Sequence, residues 1–173
     1  VNGEEADILI IATDTRSLKA KEASAQIAGI TRELLKLKPQ FIYKKVDSVL
    51  RGNIAEEILA QMKASDKSRA IIIAANPVFQ RTIREGHYFI DDIPLHETCF
   101  SADPQYPIST SSVEKILRNN NSILVSSIKT GELIPDKGIF VGDVLSFDDL
   151  NYWTIAYNEN TLVAGASGFF NSL

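Results

Sequence analysis

Short, nearly uninterrupted apolar runs recur along the chain, separated by stretches with helical spacing, and this alternation admits few architectures. The runs are Ile8 to Ala12, Phe41 to Val46, Ala70 to Ala75, Ile123 to Val125, Ile139 to Val141 and Leu162 to Ala164. Continuous runs of this kind suit strands covered on both faces, so a mainly parallel sheet of six strands between helical layers is expected. The fold class that follows is α/β: a three-layer α/β/α, Rossmann-like domain.

Between the first two runs, Leu18, Ala25, Ala28, Ile30, Leu34 and Leu37 predict an amphipathic helix, with Thr15 or Ser17 as N-cap and Pro39 closing it. Ile54, Ile58, Leu59 and Met62 predict a second helix after Asn53, a good N-cap. Ser112 to Leu117 reads as a shorter helix, and Ser146 to Ala156 as another, capped by Ser146 with Asp148 and Asp149 in its first turn. The segment 82–107 breaks the pattern. Tyr88, Phe89 and Ile90 before Asp91-Asp92 predict a strand and turn, then a loop broken by prolines, together an insertion overhanging one edge of the sheet. The Lys129 to Lys137 connection is short for a helical crossover and leaves the strand neighbours there open.

At 173 residues, 45% hydrophobic and 23% charged, the chain reads as a single domain able to bury one core without metal or disulfide support. Its 18 Lys+Arg against 22 Asp+Glu give a formal charge of −4, which argues against a nucleic-acid partner. No run approaches the ~20 residues of a membrane span, and the acidic start through Glu4, Glu5 and Asp7 is unlike a secretory leader. The cytoplasm is the expected compartment, and the lone Cys99 agrees with it.

In parallel α/β sheets ligands bind beyond the carboxyl ends of the strands, and that rule selects the residues to weigh. After the first run stand Asp14 and Arg16. After the second come Lys44, Lys45, Asp47, Ser48, Arg51, Gly52 and Asn53, which combine cations, an acid, a hydroxyl and a flexible glycine at a strand-to-helix turn. Lysine and arginine hold carboxylates, while aspartate and asparagine bond sugar hydroxyls, so a small polyhydroxy acid fits this set. The same residues also read as a solvated rim in which Gly52-Asn53 merely turns the chain and caps a helix. Gly165-Ala166-Ser167-Gly168 reads as a tight turn.

Other chemistries find little support. His96-Glu97 lacks the second histidine of a zinc protease, Phe100 standing there, and His87, His96 and Cys99 are too few for a dedicated metal site. Cys99 is expected to be packed. No glycine-rich phosphate loop ending in Lys-Ser/Thr occurs.

KKVDSVLRGN at 44–53, preceded by ATDTR at 12–16, resembles the substrate-binding N-terminal domain of the four-carbon acid sugar kinases. The likeness continues through NPVFQRTIREGHYFIDDIPLHETCFSADPQYPI at 76–108, VGDVLSFDDL at 141–150 and TLVAGASG at 161–168. The resemblance implies a pocket for a threonate, erythronate or oxo-tetronate acid lined by Asp14, Arg16, Lys45, Asp47, Ser48, Arg51, Gly52 and Asn53, with Arg84, Gly86 and His87 joining from the insertion. Arg51 and Lys45 are then expected to hold the carboxylate.

It further implies that residues 1–173 are one substrate-binding domain, a piece of a longer protein with a strand and acidic turn ahead of it and a nucleotide-binding domain after it. Mg-ATP is expected to bind mainly in that later domain, with no cofactor held here. The family usually has glycine where Gln80 precedes Arg81. The expected function is thus recognition of a small sugar acid within an ATP-dependent kinase, with a homodimer left open. The alternative is a non-catalytic sensor of a carboxylated metabolite.

Overall fold

The computed structural model describes residues 7–118 and 124–173. Five strands form a parallel sheet: β1 (Tyr43–Lys45), β2 (Arg69–Ile73), β6 (Val125–Ile128), β7 (Gly138–Gly142) and β8 (Thr161–Gly165). Their order across the sheet is β1-β8-β2-β7-β6. Every residue of β2 and β8 is buried, as expected of strands covered on both faces. Helices α1 (Ala20–Lys36) and α2 (Ile54–Ala64) pack on each other, and α2 lies over β2, β7 and β8. Helix α3 (Val113–Arg118) adjoins β6, while α4 (Phe147–Ile155) packs with α5 (Ser167–Ser172). Trp153 of α4 is fully buried beside Gly142, and its indole donates to the Asp143 carbonyl at 2.9 Å. Among the described residues no helix is long and apolar enough to cross a membrane.

The insertion is a separate antiparallel sheet, β3 (Arg81–Arg84), β4 (His87–Ile90) and β5 (Ile93–Pro94), followed by 3-10 turns over Leu95–Glu97 and Cys99–Ala102. Asp91 and Asp92 both take positive φ, the left-handed pair that matches the twist of a tight hairpin. Cys99 is exposed rather than packed, in a 3-10 turn that buries none of its residues.

Several expectations give way to tertiary context. The run Ile8 to Ala12 forms no strand: Ile8, Leu9, Ile10 and Ile11 are 40–85% exposed, and the run has no ladder partner among the described residues. Composition makes a segment fit for a sheet, but only a neighbour's hydrogen bonds make it a strand. The fourth strand starts at Val125, and Ile123 lies outside the described residues. Neither Thr15 nor Ser17 caps α1, whose N-cap is Lys19 without a side-chain bond. Gly165 to Gly168 is not a bare turn, since β8 passes directly into α5. Residues 129–137 connect β6 to its parallel neighbour β7 without a helix. At α4 the expectation holds in full: Ser146 Oγ accepts from the Asp149 N–H and the Asp149 carboxylate accepts in return, a complete capping box.

Ile72, fully buried in the central strand, and Ile10, 85% exposed, give opposite tests of this description. Ile72→Ala is expected to cost about 2–5 kcal/mol in urea unfolding, and Ile10→Ala less than about 0.5 kcal/mol. A large loss for Ile10→Ala would place the first run in the core after all.

Candidate functional site

Because the five strands run in one direction, their carboxyl ends share a rim. A cleft of about 310 Å³ opens at the end of β1. Thr13 to Arg16 form one side, Lys44 to Asp47 the floor, and Arg51, Asn53 and Glu57 the other side. This size lies at the lower end of the range for small-molecule sites, about 300–1,000 Å³.

The floor is organised by Asp47, whose side chain is 15% exposed. Its carboxylate accepts from the backbone N–H of Val49 at 3.2 Å and of Arg51 at 3.1 Å, which turns the chain back toward α2. It also takes the Arg51 fork, Nε at 3.0 Å and Nη2 at 2.9 Å. Burial pushes the Asp47 carboxyl up, but the Arg51 side chain and N–H, the Arg51 charge and the Val49 N–H outweigh it and hold the group below the usual carboxylate range. Arg51 in turn donates through Nη1 to Asp103 at 2.8 Å, and its guanidinium lies 5.2 Å from the Phe100 ring centre. The insertion is thereby latched to the cleft, a link reinforced by Tyr106, whose hydroxyl donates to the Arg16 carbonyl.

Gly52 follows at φ +93°, and a Cβ there would come within 2.7 Å of Arg16 Cγ, so only glycine lets Arg16 cross the turn. Asn53 occupies the N-cap position of α2, yet its side chain does not cap. Its Nδ2 donates instead to the carbonyls of Thr15 at 3.2 Å and Leu18 at 2.8 Å, tying the 13–18 segment over the helix start. Thr15 lies four residues before the N-cap position of α1, and its hydroxyl pairs with that of Thr13 at 3.2 Å.

Four cations line the cleft, but they differ in freedom. Lys44, half a step inside, forms a 2.5 Å ion pair with the buried Glu57, and Arg51 is held between Asp47 and Asp103. Among the described residues Lys45 Nζ makes one bond, to the Val46 carbonyl at 2.7 Å. Arg16, its side chain 53% exposed, reaches Asp47 only at 3.4 Å. Lys45 and Arg16 therefore keep donors to offer. Asp14, at φ +46°, has no side-chain hydrogen bond to a described residue and faces the same space.

Six of the expected residues thus meet in one cleft: Asp14, Arg16, Lys45, Asp47, Arg51 and Asn53. Gly52 shapes it from beneath Arg16, and Ser48 faces a neighbouring opening. Arg84, Gly86 and His87 stand apart, in the β3–β4 turn. Arg84 pairs with Asp92 at 3.2 Å and stacks on Phe89, Gly86 N–H donates to Asp143 at 3.1 Å, and His87 Nδ1 lies 2.9 Å from the Glu85 carbonyl. Burial raises the Asp143 carboxyl above its ordinary value, partly offset by the Gly86 and Glu85 N–H groups. Asp103, Tyr106 and Glu57, the partner of Lys44, are the cleft residues that sequence reasoning missed, and no local spacing marks them. Among the described residues no three His, Cys, Asp or Glu side chains come together as metal ligands do.

A parallel sheet with a small cation-bearing cleft at its carboxyl rim is an α/β architecture whose cleft has the charge and size to suit a compact polar anion. The whole chain, residues 1–173, matches the family described as the sugar-binding N-terminal domain, and it belongs to that family. It is 33% identical over 97% of its length to a D-threonate kinase of Salmonella typhimurium, covering 44% of that protein. It is also 34% identical over 67% of its length to a D-erythronate kinase of Heliobacterium modesticaldum, covering 27% of that protein. The chain therefore spans less than half the length of these relatives. A crystallised Bordetella bronchiseptica domain, a domain-swapped dimer with bound citrate, superposes with a TM-score of 0.78 at 26% identity, over 92% of this chain and 42% of that one.

Asp47 gives the site a signature in pH. A carboxylate held below its unfolded value of about 3.9 stabilises the fold fully above that pH and loses its contribution as the pH falls through the lower folded value. Asp47→Asn is expected to lower stability by about 1–3 kcal/mol at pH 7 and by less at pH 3, measured by urea unfolding at both. An equal loss at both pH values would remove the charge from the explanation.

Proposed function

We propose that this chain is the acid-recognising part of a longer ATP-dependent kinase of four-carbon sugar acids. The observation that carries the reading is the division of labour among the cleft cations. Lys44 and Arg51 are neutralised within the protein, whereas Lys45 and Arg16 keep unspent donors beside Asp14 and Asp47. In this reading Lys45 and Arg16 take the substrate carboxylate, and Asp14 and the side-chain Oδ1 of Asn53 accept from its hydroxyls, while Asp47, filled by Arg51 and the loop N–H groups, holds the floor in place. Arg51 moves from the carboxylate-binding role that the sequence assigns it to a positioning role, holding Asp47 and the insertion in register.

The kinase names of the relatives and the citrate bound to the Bordetella domain, itself a hydroxy acid, support the substrate class. A homodimer is proposed on the same ground, since that domain is a swapped dimer. The nucleotide is assigned to the remainder of the longer protein, and what this chain contributes is fixation of the acceptor, the positional part of phosphoryl-transfer catalysis.

Calorimetric titration of the chain with D-threonate tests the assignment. Lys45→Ala and Arg16→Ala are each expected to weaken binding about tenfold or more while leaving thermal unfolding nearly unchanged, the size expected for a lost charge-assisted bond. Arg51→Ala is expected to lower both. Undiminished affinity in both Lys45→Ala and Arg16→Ala would move the substrate out of this cleft.

A further inference from the structure

A second opening, of about 220 Å³, lies across the 47–51 loop from the first, at the carboxyl ends of β2 and β8. It is lined by Ser48, Asn76, Phe79, Arg81, Ala166 and Ser167, with no acid among them. Arg81 donates through Nη1 to Ser48 Oγ and pairs with no carboxylate of the described residues. That distinguishes it from Arg51, which holds two acids.

Asn76 is 6% exposed, and its Oδ1 accepts from the Val78 N–H at 3.2 Å. Its Nδ2 has no acceptor among the described residues. Every fully buried side-chain polar atom among the described residues has a partner, so Nδ2 keeps some exposure, on a residue that lines the opening. The two donors are held by the backbone: Asn76 N–H donates to the Arg81 carbonyl at 2.9 Å, and Arg81 N–H returns a bond to the Asn76 carbonyl at 3.1 Å. Gln80, at φ +52°, closes this loop in the left-handed conformation that glycine takes most easily. From the other side Gly168 comes so close that a Cβ would stand 2.7 Å from Asn76 Cγ, which fixes the carboxamide.

We propose that this opening is a site for a phosphoryl group. A guanidinium without a counter-carboxylate, an unspent amide donor on a largely buried side chain and the hydroxyls of Ser48 and Ser167 surround one small space. That arrangement suits the several oxygens of a tetrahedral oxyanion better than the two in-plane oxygens of a carboxylate. Adjacent residues serve the two openings: Asp47 faces the acid cleft and Ser48 faces this one, so a phosphoryl group here sits across a single loop from the hydroxyls of the bound acid. The origin of that group in a kinase rests on the function proposed above, whereas the site itself does not.

The test is a titration of the isotope-labelled chain with inorganic phosphate, followed by backbone amide shifts. Phosphate is expected to move the amides of residues 76–81 and 166–168 and to leave 44–47 in place. Arg81→Gln is expected to weaken phosphate about tenfold or more while changing D-threonate affinity less than about twofold, and Arg81→Lys to recover part of the loss. Ser167→Glu, at an exposed position, is expected to exclude phosphate by repulsion with the Arg81 contacts intact. ATP in the same titration separates the sources. Shifts at these residues below the phosphate concentration assign the terminal phosphoryl of a nucleotide, shifts by phosphate alone assign the free anion, and shifts by neither overturn the proposal. Phosphate shifts centred on Lys45, or affinity unchanged in both Arg81→Gln and Ser167→Glu, overturn it as well. Phosphate binding here with no D-threonate binding anywhere would remove the acid-recognising function and leave this site standing.

Discussion

A half-hidden carboxylate at the end of an edge strand accepts two backbone N–H groups and a two-pronged guanidinium, and the rest of the site is arranged around it. Asp47 converts the exit of β1 into a tight loop with the entrance of α2 beside it. By occupying Arg51 it also fixes the residue that grips Asp103 on the insertion. A charge held this firmly in a partly dry setting has little freedom to reorganise. The cost of desolvating the pair is met by completing nearly every lone pair on the acid, the condition under which a shielded ion pair is tolerated.

The parallel sheet determines where such loops can be. Every strand delivers its carboxyl end to the same rim, so the loops after β1, β2, β7 and β8 lie side by side although they are far apart along the chain. Two openings result, divided by the 47–51 loop, one with free cations beside acids and one with a bare arginine and an amide. The insertion, expected to overhang an edge, does more than that. Asp103, Tyr106 and Phe100 bring it back onto the first opening, and Glu85 and Gly86 anchor its hairpin on Asp143 at the end of β7.

Much of this was legible in the order of the residues. The apolar runs at Ala70, Ile139 and Leu162 became strands because their neighbours cover them on both faces, and Ser146 caps its helix because the whole motif lies within four consecutive residues. KKVDSVLRGN marked the cleft because a strand end, a turn and a helix start are contiguous there. The failures share one cause. Ile8 to Ile11 carry the composition of a strand but lack a partner, and Asn53 carries the chemistry of a cap but spends its amide on Thr15 and Leu18. In each, a contact distant in sequence, or its absence, overrode a local preference.

Periodicity, capping motifs and the basic-acidic string at the second strand end are local properties, and they were enough to determine the α/β class, the rim that carries the site and most of its lining. The state of each charge was decided only by the tertiary structure. Lys44 and Lys45 are neighbours of identical type, yet one is neutralised by Glu57 and the other is not; Arg51 and Arg81 differ in the same way. Whether a charge is available depends on the groups that folding brings within a few ångströms of it, because Coulomb attraction and desolvation act through space and take no account of sequence distance.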